Sequence, residues 1–196
     1  MVAMRIMFVA ALGCMMLLPV QLHAQAGGAN DNPEMRAMFE ADQTIRASIN
    51  PAKPIDVALV RRMIAEDAAR RAKSQTMLRE GRLNTADDYY RAAFILQHGS
   101  QASDYLLAHS LAMAAVARGK AEANWIAAAT LDRYLMKIGQ SQIYGTQYGR
   151  SKENGVSMDP YDREMVPDSL RAALGVPVQV EQMKKLDSMK ATAPKP

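Results

Sequence analysis

His109 and Asp132 are the side chains of this sequence best placed to do chemistry, because each interrupts a run that is otherwise almost wholly apolar. The runs read Tyr105-Leu-Leu-Ala-His109-Ser-Leu-Ala-Met-Ala-Ala-Val116 and Trp125-Ile-Ala-Ala-Ala-Thr-Leu-Asp132-Arg-Tyr-Leu-Met136. Helices that are apolar nearly all round belong in an interior, where an ionised carboxylate costs several kcal/mol unless it is paired. Asp132 must therefore have a partner or a path to water. His109, near the middle of the neighbouring helix, is the candidate partner. Arg133 suits less well, since consecutive residues on a helix do not face each other. A His–Asp pair could orient the imidazole for general base work or metal ligation; equally, it could be a buried hydrogen bond with a structural role.

Asp42 shares a helical face with Met35, Met38, Ile45 and Ile49. It points either to Arg46, four residues on in the favourable order for an ion pair, or into the interior that holds His109 and Asp132. His98 precedes Gly99 at a helix C-terminus, where the helix dipole favours an imidazolium and its donors reach free carbonyls. A metal held by His98, His109 and Asp132 would need ligands from three helices, and no close pair such as His-x-x-x-His supports one. The sequence calls for no metal and no cofactor. Ten methionines lie beyond the first 26 residues, at spacings that suit core filling better than copper ligation.

Holding these groups in place requires a bundle of helices. Asn32 before Pro33-Glu34 is a helix start, with asparagine capping the free amides and proline at the first helical position; the helix should run from about Pro33 to Ser48. The Asn50-Pro51-Ala-Lys-Pro54 segment breaks the chain. Val57, Val60, Ile64, Ala68 and Ala72 then recur at helical steps, predicting an amphipathic, half-exposed helix up to Gly81. In that helix Arg61, Arg62, Arg70, Arg71 and Lys73 read as a solvated face, with Glu66 and Asp67 four residues before Arg70 and Arg71. Thr85 with Asp88 forms a capping box that opens the next helix, which stops at Gly99. Two more helices, from about Gln101 to Arg118 and Ala121 to Ile138, stop at Gly119 and Gly139.

The twenty-residue spacing of these glycines resembles stacked helical hairpins of the tetratricopeptide type, but it covers only three helices. Small residues such as Ala92, Ala93, Ala112, Ala115, Ala127 and Ala128 suit the close approach of a compact bundle, which is the favoured reading. Residues 141–161 are richer in β-branched, aromatic and glycine residues and predict a small β-hairpin or irregular segment, turning at Glu153-Asn154-Gly155. Pro167-Asp168 opens a short helix ending near Gly175, and Val180 to Lys190 form a last one. The expected class is all-α or mainly α: a single helical domain over residues 33–190, then a disordered tail at 191–196.

The first residues follow an export pattern. Arg5 supplies the positive region, Ile6 to Val20 the apolar stretch, and Ala24-Gln25-Ala26 a small-x-small cleavage site. The apolar stretch is short of the roughly 20 residues that span a bilayer. Residues 1–26 therefore read as a signal peptide, 27–32 as a linker, and the destination as the periplasm or the exterior, with no stable membrane insertion after cleavage. Cleavage would remove Cys14, the only cysteine, leaving no disulfide and no thiol chemistry. The formal charge of +4 falls by one with Arg5, and basic and acidic residues are interspersed. No dense basic patch with interleaved aromatics supports nucleic-acid binding.

A resemblance rests on Glu40-Ala-Asp42-Gln43-Thr-Ile-Arg46, Gln97-His98-Gly99, Asp104-Tyr-Leu-Leu-Ala-His109, Leu131-Asp132-Arg133 and Gln142-Ile-Tyr144-Gly145-Thr146-Gln147. The chain resembles a bacterial family of unknown function marked by a Gln-x-Tyr/Phe-Gly-Thr-Gln motif, over roughly Pro33 to Pro177. The resemblance implies a largely helical domain in which these polar residues belong together, and it carries no reaction with it. Gln142 and Gln147 offer amide donors and carbonyl acceptors, Tyr144 and Thr146 hydroxyls. The segment follows directly on the helix of Asp132, so it is either a ligand-contacting loop or a structural plug over the His109/Asp132 interior.

Three functions are compatible with these residues. The first is an exported helical binding or interaction module that takes a small ligand, glycan or peptide, with Asp42, Arg46, His98, Gln142, Tyr144 and Gln147 as contacts. The second is a hydrolase-like enzyme with His109 as general base, Asp132 orienting it, and loop amides stabilising negative charge. No Gly-x-Ser-x-Gly elbow supports it. The third is a purely structural polar core.

Overall fold

The side chain of Asn32 accepts hydrogen bonds from the backbone N–H groups of Glu34 and Met35, and Pro33 occupies the first turn, so α1 begins where the sequence predicts and runs over Pro33–Ala47. The computed structural model describes residues 30–49, 56–151 and 155–192. The expected signal peptide, its cleavage site and the first half of the linker lie outside the described residues, as do residues 50–55, the tip of the expected hairpin at 152–154, and the last four residues.

Six further helices follow: α2 (Val57–Arg79), α3 (Ala86–Leu96), α4 (Ala102–Ala117), α5 (Ala123–Lys137), α6 (Asp168–Ala173) and α7 (Gln179–Thr192). Between α5 and α6 sits an antiparallel hairpin of β1 (Gly149–Ser151) and β2 (Gly155–Ser157), with Arg150 opposite Val156. The protein is thus a compact, mainly α-helical bundle with one small hairpin, as the residue pattern predicts. One boundary moves: α7 continues two residues beyond Lys190, and the Thr192 hydroxyl donates to the Ser188 carbonyl.

The capping box expected at Thr85 and Asp88 is present, and Asp88 does more than cap α3. Its buried carboxylate also accepts from the backbone N–H of Asn32 at 2.8 Å, tying the start of α1 to the start of α3. Helices α3, α4 and α5 pack in sequence order, α4 touching both neighbours; the short connections make consecutive members antiparallel. Ala92, Ala93, Ala108, Ala112, Ala115 and Ala123 line their contacts, all 0% exposed, which lets the backbones approach closely. Helices α1 and α2 cover α3. A second, smaller apolar cluster of Val156, Met158, Tyr161 and Leu186 joins β2 to α7.

In α2 the expected apolar stripe is not the buried one. Val57 and Ile64 are 57% and 61% exposed, Ala68 and Ala72 are exposed too, and the face turned inward carries Asp67, Arg70, Ser74 and Met77. Arg70, read from sequence as part of a solvated face, is buried. The reason is on α1, which presents Asp42 and Arg46 to α2: a charged face opposite favours charged side chains over valine and isoleucine. Among the described residues, no helix is long and apolar enough to cross a membrane.

Candidate functional site

The bundle holds two groups of buried polar side chains, one around Asp132 on α5 and one on α1, α2 and the end of α3. Asp132 is fully buried, but its partner is not His109. One carboxylate oxygen accepts from the backbone N–H of Ile143 (2.8 Å) and Tyr144 (3.0 Å). The other accepts from the N–H of Thr146 (3.0 Å) and its hydroxyl (2.7 Å). A carboxylate has about four lone-pair positions, and these contacts fill them.

Arg171 of α6, also 0% exposed, grips the same loop by its carbonyls. Its Nη2 donates to Ile143 O (2.8 Å) and the Tyr161 hydroxyl (2.6 Å), and its Nη1 to Tyr144 O (2.9 Å) and Pro177 O (3.3 Å). Its Nε donates to Val166 O (2.9 Å). All five donors of the guanidinium are used. Two opposite buried charges therefore bracket one loop, Asp132 reading its amides and Arg171 its carbonyls.

Gln142 and Gln147 complete this brace. The Gln142 side-chain carbonyl accepts from Gln147 N (2.9 Å), while its amide donates to Gln147 O (2.9 Å) and to Met158 O. The Gln147 amide donates to Ala129 O on α5 (3.2 Å) and to the Thr146 hydroxyl (2.9 Å). Gly145 has φ +69°, and the Tyr161 ring lies 3.0 Å from where its Cβ would be, so a side chain there meets both backbone strain and a ring. Burial raises the Tyr144 and Tyr161 hydroxyl pKa values, with the Asp132 charge adding to it against the opposing pull of Arg171. The geometry favours the structural plug over the ligand-contacting loop for Gln142, Tyr144 and Gln147.

His109 turns to α5 as predicted but stops at its backbone, with Nδ1 2.9 Å from Ala127 O. The carbonyl can only accept, so Nδ1 carries the proton. The expected His109–Asp132 pair is therefore corrected: the loop amides lie within reach of Asp132 and satisfy it completely, and His109 finds a carbonyl one turn away.

The second group gathers on α1, α2 and the end of α3. Asp42, 1% exposed, accepts from Arg46 Nη1 (2.6 Å) and Gln43 Nε2 (2.9 Å). Arg46 Nη2 continues to Asp67 (2.7 Å), Asp67 accepts from Arg70 Nη2 (2.8 Å), and Arg70 Nη1 reaches Glu66 (3.1 Å). The Asp42–Arg46 ion pair expected from sequence is thus present, and Asp42 faces this ionic chain rather than the interior of His109 and Asp132. Burial alone would raise the Asp67 carboxyl, but Arg70 and Arg46 hold it below the usual carboxylate range. Asp67, Glu66 and Asp42 in turn hold Arg70 above its ordinary value against burial.

His98 stands at the end of α3 with Nε2 3.7 Å from Asp42 Oδ2, too far for a hydrogen bond, while its carbonyl accepts from Arg71 (2.7 Å). Gly99 is required beside it. A Cβ there would fall 2.2 Å from the Asp104 Cβ, and Tyr105 donates to the Gly99 carbonyl at 2.8 Å.

Unlike the brace, this cluster is not saturated. His98 Nε2, Arg70 Nε and Arg133 Nε are buried and have no hydrogen-bond partner among the described residues. Ser74 Oγ, one turn along α2 from Arg70, is in the same condition. Of these, sequence reasoning singled out only His98 as a site residue; Arg70 and Asp67 read as solvated, and Arg133 as a poor partner for Asp132. Among the described residues, no three His, Cys, Asp or Glu side chains gather closely enough to hold a metal ion.

Fold and site together define a mainly α-helical bundle with a saturated polar brace and an open charge cluster. No known protein family, curated protein or solved structure matches the chain.

Proposed function

We propose that this protein is an exported helical binding module whose ligand contacts the charge cluster of Asp42, Arg46, Arg70 and His98, while Gln142 to Gln147 brace the fold behind it. The observation that carries the reading is the set of buried nitrogens without partners. Buried donors are normally hydrogen-bonded, and leaving one unmade costs about 1–3 kcal/mol, so several in one cluster call for a ligand that supplies acceptors. Export to the periplasm or the exterior is part of the proposal and rests on Arg5, the apolar run from Ile6 to Val20, and the Ala24-Gln25-Ala26 site.

The hydrolase reading receives less support. Asp132 has no free lone pair with which to orient a base, and His109 is spent on a backbone carbonyl through Nδ1.

Native mass spectrometry of the full chain recovered from the periplasm tests the proposal. A small polar molecule should be retained by the wild-type protein and lost from Arg46→Ala with the circular dichroism unchanged. A wild-type protein that carries nothing, or a molecule retained equally by Arg46→Ala, would contradict it.

A further inference from the structure

Arg133 is a part-buried cation with no ion pair among the described residues, and its Nε is enclosed without a hydrogen-bond partner. The ionic chain next to it closes on itself: Asp42 and Asp67 are matched by Arg46 and Arg70, and Glu66 is shared between Arg70 and Arg62. Arg133 joins none of these pairs. A guanidinium does not lose its proton in a protein, so the charge stays on a part-buried side chain whose Nε makes no hydrogen bond among the described residues.

Helix register places this residue beside the cluster. His109 Nδ1 meets Ala127 O, and α4 and α5 run antiparallel. Tyr105, four residues before His109, is therefore level with the stretch of α5 around Leu131, two residues short of Arg133. The Tyr105 hydroxyl in turn holds the Gly99 carbonyl, next to His98. The charges agree with this placement: burial lowers the Arg133 pKa, Tyr105 opposes that, and Arg46 is near enough to lower it further.

We propose that Arg133, flanked by Arg46 and His98, binds an oxyanion of the ligand, either a carboxylate or a phosphoryl group. The inference rests on the binding-module reading above and narrows its ligand. The planar fork of a guanidinium, Nε included, matches two oxygens of either group in a way a point charge does not. The unpartnered Nε2 of His98 supplies a further donor to the same anion when it carries the proton.

The test titrates the full chain with sodium phosphate and, separately, with sodium acetate, sodium chloride holding the ionic strength constant; affinity is read by calorimetry and thermal midpoint. At least one of the two should bind saturably, with affinity falling about tenfold or more in Arg133→Met. Arg133→Lys keeps the charge but loses the fork, so it should also bind more weakly, and it carries the test if Arg133→Met does not fold. Tighter binding of phosphate would mark the ligand as phosphorylated, and tighter binding of acetate as a carboxylate. If both anions act no differently from chloride, or if the folded variants bind as tightly as wild type, the proposal is overturned. A neutral molecule retained in the native spectrum and lost from Arg46→Ala would sink the oxyanion while leaving the binding module standing.

Discussion

Two polar regions of one bundle, the brace against α5 and the cluster on α1, α2 and the end of α3, use the same chemistry to opposite ends. Around Asp132 and Arg171 every donor and acceptor of two buried ions is matched, and both grip the backbone of the loop from Ile143 to Thr146. Around Asp42, Arg46 and His98 the acids and bases match each other, yet buried nitrogens of His98, Arg70 and Arg133 are left over. A buried ion pair is weak evidence for stability in itself, and what matters is whether each remaining lone pair and proton finds a partner. By that standard the first region holds the fold, and the second is available to something else.

The largest effect should come from Arg171→Met, which leaves the Ile143, Tyr144 and Val166 carbonyls without their charged donor. Urea unfolding should show a loss of about 3–5 kcal/mol. Gly145→Ala strains the same loop through its positive φ and the Tyr161 ring, and it should cost about 2 kcal/mol by the same measurement. His109→Ala removes one hydrogen bond to a carbonyl and should cost about 1 kcal/mol; a loss as large as that of Arg171→Met would return His109 to the centre of the polar interior.

The cluster should also register in the pH dependence of stability. Asp67 is held below its ordinary pKa by Arg70 and Arg46. Its contribution is therefore fully present above the unfolded carboxylate value near 4 and is lost as pH falls through the lower folded value. Comparing thermal midpoints across that range, Asp67→Asn should flatten the acid limb relative to wild type. An acid limb identical in the two proteins would mean that the Asp67 pairing adds nothing.

Much of the scaffold was legible in the residues. Asn32-Pro33, the Thr85/Asp88 box and the glycines after α4 and α5 mark helix ends through local chemistry, and local chemistry can be read along a chain. The need of Asp132 for a partner was legible too, because burial alone demands one. The partner was not, since backbone amides of a loop carry no side-chain signature. Arg171, in a helix of six residues, carries no local signal of the five acceptors that the fold wraps around it. In α2 the Val57 to Ala72 stripe pointed the wrong way because periodicity reports that a helix has two faces, and only α1 decides which one is covered. Arg133 escaped notice for a related reason: one residue after Asp132 means a turn of about 100°, enough to carry it off the face that meets the loop.

The most direct test of this division sets Asp132→Ala beside Arg133→Met in urea unfolding without ligand. Asp132→Ala should lose about 3–5 kcal/mol, while Arg133→Met, which exchanges a part-buried cation with no ion pair for an apolar side chain, should be neutral or more stable than wild type. Equal losses from the two substitutions would contradict the account, for Arg133 would then be as well satisfied as Asp132.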